Sequence, residues 1–311
     1  MTTPTQDDYD EVASELVHLS ERVASWQVAD VVPPEPEPSA SMLYGCSAPK
    51  GIDNLEGQIG VRFASHRCFD GGHPATFQQH DANKSAGKRF VVVSCKWSPW
   101  SDLDGMSRWL AGFADSWPDD TDGAMILNHE PEDNGSPAQY RPMQQQASEV
   151  WHTALPRIAF GGCWQAWTCN PASGIDPSQW WPGDVWDFLA FDGYNKKSAQ
   201  GVMVDHFFAG ALDYCDSKGV PFAIAEYGTV HDQDRAEFTQ QGADLVADKG
   251  GPFCTYWNSA NTGYPYPWKP ADYPAVKACA LQYGGTNLAG TREVPPEQAE
   301  QDDTPADQPD E

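Results

Sequence analysis

Pro221-Phe-Ala-Ile-Ala225 runs directly into Glu226-Tyr-Gly228. A short run with no polar side chain has the length of a strand, and its apolarity on both faces fits a strand covered on both faces. Runs of the same kind recur along the chain at Ser41–Cys46, Gln58–Ala64, Arg89–Cys95, Ala124–Asn128, Arg157–Cys163, Val185–Phe191 and Pro252–Trp257, which makes eight. Helix-compatible stretches lie between several of them: Asp104–Trp117, Ser136–Leu155, Val204–Lys218 and Asp232–Ala247. An alternation of this kind predicts an α/β protein with a parallel sheet. A (β/α)8 barrel takes about 250 residues, and the chain has 311. An open doubly wound sheet would carry a Gly-rich phosphate turn after its first strand. Gly45-Cys-Ser-Ala-Pro-Lys-Gly51 does not have that GxGxxG spacing.

The expected fold is therefore a (β/α)8 TIM barrel over residues 41–286, with extensions on both sides. Tyr9, Val12, Leu16, Leu19, Val23 and Trp26 follow the a/d spacing of a helical seam, so residues 1–30 read as an amphipathic helix. Two readings stay open for it, a helix docked on the barrel or a short oligomerising coiled coil. The stiff linker Val31-Val-Pro-Pro-Glu-Pro-Glu-Pro38, within residues 31–40, tilts the balance toward homo-oligomerisation or attachment through residues 9–26. Residues 287–311 are rich in Pro, Gln and acids and read as a disordered tail.

The net charge is −26, of which −8 falls on residues 1–40 and −7 on residues 287–311, leaving −11 for the body. An acidic body without a basic stripe argues against nucleic acid as a partner, since phosphate binding needs clustered Lys and Arg. The N-terminus lacks the basic and apolar regions of a secretory signal, and no apolar run reaches the ~18 residues of a membrane span. The expectation is a chain that acts in the cytoplasm, is released by lysis, or rides on a particle such as a virion. The eight cysteines contain no CxxC pair, and several fall in apolar runs, so buried thiols are the better reading than zinc ligands.

Active sites of such barrels form at the C-terminal ends of the strands. The fourth run is followed by Asn128-His-Glu-Pro-Glu-Asp133, the sixth by Asp192-Gly-Tyr-Asn195, the seventh by Glu226 and the eighth ends in Trp257. Glu130 and Glu226 thus sit at strand mouths nearly opposite each other. A retaining glycosidase needs two carboxyl groups about 5–5.5 Å apart, one as acid/base and one as nucleophile. Rival readings are weaker. A solvated acidic loop would not begin directly after Ala-Met-Ile-Leu127. A zinc-protease HExxH would need a second histidine where Asp133 stands. A carboxylate ending the apolar run at Glu226 is costly unless paired or functional. Asp192 reads as a support for the loop after the sixth strand. Arg62 and His66, following the second run, either contact sugar or form ion pairs. Thirteen tryptophans suit a cleft whose flat apolar faces stack on sugar rings. Trp97, Trp164 and Trp257 are the ones expected to touch sugar, whereas Trp180 and Trp181 read as core.

Trp181-Pro-Gly-Asp-Val-Trp-Asp-Phe-Leu-Ala-Phe-Asp-Gly-Tyr-Asn195, Phe222-Ala-Ile-Ala-Glu-Tyr-Gly-Thr229 and His129-Glu130 resemble the corresponding regions of glycoside hydrolase family 26. That family holds β-mannanases and related β-glucanases, and the likeness covers roughly residues 42–285. It implies Glu130 as acid/base and Glu226 as nucleophile. It implies His129 as the histidine beside the acid, Tyr194 as the tyrosine bonded to the nucleophile, and Trp257 as the aromatic under the sugar. Family members usually follow His-Glu with Asn-Gly and a Trp-rich loop. Here Pro131-Glu-Asp-Asn-Gly135 follows, and Asn128 precedes. These positions touch sugar, so a β-mannan, a β-glucan or a bacterial envelope glycan all remain as polysaccharide substrates. The implied chemistry is double displacement, which requires neither a metal nor an organic cofactor. The rival from another class is a barrel retained as a non-catalytic carbohydrate-binding or structural module, such as a phage tail protein.

Overall fold

The computed structural model of the chain describes residues 42–48, 51–196, 204–259 and 266–288. The helix expected over residues 1–30, the linker at 31–40 and almost all of the acidic tail lie outside the described residues.

Eight strands close into one barrel: β1 (Leu43–Ser47), β3 (Ser65–Phe69), β4 (Phe90–Cys95), β5 (Gly123–Leu127), β6 (Ala159–Gln165), β7 (Phe188–Asn195), β8 (Phe222–Thr229) and β9 (Phe253–Trp257). Every neighbouring pair is parallel, and β9 closes the ring on β1. The expected (β/α)8 architecture is therefore present. The helices α1 (Ile52–Ile59), α2 (Leu103–Asp115), α3 (Pro137–Ala154), α4 (Val204–Lys218), α5 (Arg235–Asp248) and α6 (Tyr273–Gln282) follow six of the barrel strands, while short 3-10 turns connect β3 to β4 and β6 to β7. Asp102 caps α2 by accepting the Gly105 N–H at 2.9 Å, a local reason for the helix to begin there. Among the described residues, no helix is long and apolar enough to cross a membrane.

Strand periodicity sorts the side chains into two cores. Tyr44, Val91, Val93, Phe160, Trp164, Ile224 and Tyr227 point outward and pack with the helices. Val92, Ala124, Ile126, Cys163, Phe188, Ala190, Ala223, Ala225 and Phe253 fill the barrel. Many inward residues are small because the ring is tight. A Cβ on Gly45 would lie 1.8 Å from the Ser65 carbonyl oxygen, so only glycine lets β1 and β3 approach this closely. All eight cysteines are free and seven are buried, in line with their reading as small core hydrophobes.

The second barrel strand is not the expected Gln58–Ala64. That segment spans the end of α1, a left-handed Gly60 (φ 77°) that ends the helix, and a two-residue strand β2 (Val61–Arg62). β2 pairs antiparallel with β10 (Thr286–Asn287) in a separate ribbon, so ordered structure runs just past the expected domain end at 286. The barrel strand is Ser65-His-Arg-Cys-Phe69, whose inward Ser65 and Arg67 are polar and which therefore shows no hydrophobic run. Arg62 consequently lies outside the barrel. His66 faces outward, with its Nδ1 2.7 Å from Ser85 Oγ, and burial pulls its pKa down to about 3. Neither residue lies at the mouth.

Candidate active site

The inward positions turn polar toward the C-terminal ends of the strands. Arg67 on β3, Ser94 on β4, Asp192 and Tyr194 on β7 and Glu226 on β8 lie on the same faces as the apolar plug below them. On β8 this requires a break in alternation. Phe191 pairs with Ile224, but Asp192 pairs with Glu226, so Ala225 is an extra residue with no partner on β7. Such a bulge turns two successive residues to one face. Ala225 joins the barrel plug and Glu226 the mouth. The Thr255 hydroxyl donates to the Ala225 carbonyl at the bulge.

Glu226 is only 7% exposed. The Tyr194 hydroxyl donates to its Oε2, and Arg67 Nη2 lies 3.7 Å from its Oε1. Burial raises the carboxyl's pKa, while Arg67, then Tyr194 and then Lys96 pull it back. The net effect leaves the carboxyl above the usual carboxylate range, with the cation and the phenol limiting the rise that burial causes. Arg67 itself is fully buried, and none of its side-chain nitrogens has a hydrogen-bond partner among the described residues. Unmet buried donors cost free energy and are concentrated where function requires them.

Glu130 follows the end of β5 on a backbone bent twice into the left-handed region, at Asn128 (φ 56°) and Glu130 (φ 47°). Non-glycine residues rarely adopt this conformation, and it clusters at functional sites. Backbone bonds hold the bend: Asn128 N–H to the Cys95 carbonyl at 2.8 Å and Glu130 N–H to the Cys163 carbonyl at 2.9 Å. The Glu130 carboxyl is pushed up to about 7, first by burial, then by the charges of Glu226 and Asp133. Asp192, buried beside Glu226, is held well above the usual carboxylate range by burial and by the two glutamates.

The loop after Glu130 is not a solvated acidic stretch. Glu132 Oε1 accepts Thr168 Oγ1 at 2.5 Å and the Gln165 N–H at 3.3 Å. Gln165 Nε2 donates to Asp133 Oδ2 at 2.7 Å. These bonds tie the Glu130 loop to the end of β6. Burial also pushes Glu132 up to about 7.

The other expected site residues divide. His129 Nδ1 lies 2.9 Å from Ser94 Oγ, and burial holds the imidazole neutral. Asn128 is 3% exposed, and its Oδ1 accepts the Trp97 N–H at 2.8 Å, so it braces the loop after β4. Trp257 lies at the mouth with its ring 5.4 Å from that of Phe69, which covers it in part and presents its own exposed face. Trp97 packs between His73 (4.4 Å) and Trp109 (5.7 Å) and lines a cavity of about 280 Å³. Trp164 requires a correction. It is wholly buried against Trp186, Phe191 and Tyr214, because alternation on β6 turns Cys163 inward and Trp164 outward. Asp192 requires another: it lies within β7 beside Glu226 and accepts the Cys163 thiol at 3.2 Å, so it belongs to the site and not to a supporting loop. Trp180 and Trp181 are core, as expected.

Arg67, Lys96 and Phe69 did not emerge from the sequence. Each holds an inward position within, at the end of or just after a strand, a signal available only once the register is known. A larger cavity of about 480 Å³ lies between α3 and Asp184–Asp187, where β7 begins and so at the end of the barrel away from the paired carboxylates. Its His152–Asp187 pair (2.9 Å) is structural, since Asp187 also accepts the Phe160 N–H at 2.8 Å.

No protein-family model and no curated protein matches the chain. Solved structures do. An endo-β-1,4-mannanase double mutant from Cellulomonas fimi aligns over 78% of this chain and 71% of its own, with TM-score 0.54 and 14% identity. A GH26 β-mannanase from Bacteroides ovatus aligns over 77% and 88%, with TM-score 0.54 and 12% identity. A family 39 glycoside hydrolase from Bacteroides cellulosilyticus WH2 aligns over 79% and 64%, with TM-score 0.55 and 14% identity. At these identities the likeness is one of fold: the chain has the barrel that these glycoside hydrolases share.

Proposed function

We propose that the chain is a retaining glycoside hydrolase acting on a polysaccharide of β-mannan, β-glucan or bacterial envelope type. The observation that carries this reading is the pairing of Glu130, pushed up to about 7, with Glu226, held by Arg67 and Tyr194, at the mouths of the fourth and seventh barrel strands. A carboxyl raised toward neutrality beside a carboxyl held by a cation and a phenol donor is what acid and nucleophile require.

Glu226 attacks the anomeric carbon while Glu130 gives its proton to the departing glycosidic oxygen, which leaves as an alcohol. Glu130, now a carboxylate, takes a proton from water as that water attacks the glycosyl ester. The sugar is released with retained configuration and both carboxyls return to their starting states. The Tyr194 hydroxyl and Arg67 hold Glu226 ready before attack and receive it again afterward.

Reducing-end release from a panel of mannans, β-glucans and envelope glycans tests the reading, with Glu226→Gln as control. Release by the wild type alone, with the first-formed product in the retained anomeric form, is the expected result. Binding without release on any glycan would leave a carbohydrate-binding module in its place.

A further inference from the structure

A cavity of about 280 Å³ is lined by Asn128 and His129, the two residues before Glu130, together with Gly72, His73, Lys96 and Trp97. Its size is near the low end of ligand pockets, which run from about 300 Å³ upward, and suits one sugar residue. Trp97 supplies an apolar surface. Lys96 supplies the one ammonium group among the lining residues.

Lys96 follows β4 at the next inward position after Phe90, Val92 and Ser94. Its backbone is fixed: its N–H bonds the Gly72 carbonyl at 2.8 Å, and His73 Nδ1 lies 3.3 Å from its carbonyl oxygen. Its ammonium, by contrast, makes no hydrogen bond or ion pair with a carboxylate among the described residues, in a chain with 45 acidic residues. Three nearby carboxylates are engaged elsewhere. Asp70 turns back to accept the Gly72 N–H at 3.0 Å. Asp133 accepts Gln165, and Glu226 is held by Tyr194 and Arg67.

We propose that Lys96 is a specificity-determining residue that binds an anionic substituent on the sugar held beside Glu130, so that the substrate is an acidic glycan. This deepens the hydrolase reading and rests on it. The electrostatics of the mouth agree. Burial and repulsion between carboxylates raise Glu130 to about 7 and Asp192 above the usual carboxylate range, and burial raises Glu226, which weakens the negative charge that Arg67 and Lys96 face. A neutral glycan has no group that pairs with the Lys96 ammonium, whereas a uronate, phosphate or sulfate does.

Lys96 also acts on the charges of Glu130 and Glu226, so loss of rate in a Lys96 variant would not by itself identify an anion contact. The ratio of kcat/KM on a uronate-bearing glycan to kcat/KM on the same glycan after carboxyl reduction removes that shared effect. The expected ratio in the wild type is roughly 10- to 100-fold in favour of the uronate, from one charge-assisted contact. It should fall toward one in Lys96→Met and recover in Lys96→Arg. Phosphorylated and sulfated glycans in parallel identify which anion is used. A ratio near one in the wild type on all three anions, or a ratio unchanged in Lys96→Met, overturns the proposal. Calorimetric binding of the uronate and carboxyl-reduced oligosaccharides needs no turnover. If no glycan is cleaved yet the uronate binds more tightly through Lys96, the anion site stands and the hydrolase reading falls. Equal binding of both, unaffected by Lys96→Met, overturns the anion site whatever the turnover.

Discussion

Asp192 and Glu226 occupy the same rung of adjacent barrel strands because Ala225 is bulged out of register between them. Two carboxyls that close cannot both ionise in a buried setting. Arg67 and Tyr194 stabilise the charge on Glu226, which leaves the proton on Asp192. Asp192→Asn therefore replaces one neutral group with another. The acidic limb of the kcat/KM profile, which the proposed mechanism assigns to ionisation of Glu226, should stay where it is. If Asp192 were ionised it would be raising the Glu226 pKa, and the substitution would move that limb to lower pH. A pH profile of the variant distinguishes the two.

In the proposed mechanism the basic limb of the same profile belongs to Glu130. The acid must be protonated, so activity falls as pH rises through about 7, while kcat/KM reports the free enzyme. Glu130→Gln should remove this limb and cost roughly 10²–10⁴-fold on substrates whose leaving group needs a proton. An aryl glycoside with an acidic phenol should lose far less. Glu132 is also pushed up to about 7, which makes it the control. Glu132→Gln should keep the basic limb, and a limb that vanished there instead would transfer the acid role to Glu132.

Tyr194→Phe removes the hydroxyl that donates to Glu226 Oε2 and leaves the ring stacked on Tyr266 at 5.1 Å. The carboxylate then loses one of the groups that lower its pKa. The acidic limb should move to higher pH, and kcat should fall roughly 10-fold or more, the worth of one hydrogen bond to a charged group. An unchanged limb would mean that the phenol does not stabilise the Glu226 anion in solution.

The barrel and its two glutamates were legible because both leave local marks. Buried parallel strands are hydrophobic runs, and Glu226 closes one such run without a break. What was hidden depended on register. β3 is built from Ser65, His66, Arg67 and Cys68, so it carries no apolar signature, and Arg67 went unseen with it. The neighbouring run that stood in for it owes its apolar character to the end of α1 and to β2. Asp192 could be placed beside Glu226 only through the bulge at Ala225, which no composition rule reveals. Lys96 and Trp164 show the same limit from two sides. One step along a strand exchanges mouth for core, and the sequence does not say which step a residue occupies.

That limit yields a last prediction. Trp164 is wholly enclosed by Trp186, Phe191 and Tyr214, whereas Phe69 is 40% exposed at the mouth beside Trp257 and His129. Trp164→Ala empties a core position and should cost about 3–5 kcal/mol of stability, seen as a lower urea midpoint. KM of the fraction that remains folded should be little changed, since the ring touches no part of the cleft. Phe69→Ala removes a face open to the cleft and should raise KM roughly 10-fold, the scale of one aromatic contact. Its urea midpoint should fall far less than that of Trp164→Ala, because the lost ring was partly in water. Urea titration and initial rates on the two variants separate the roles. A Trp164→Ala protein of native stability with a raised KM would return that tryptophan to the cleft and contradict the outward register of β6.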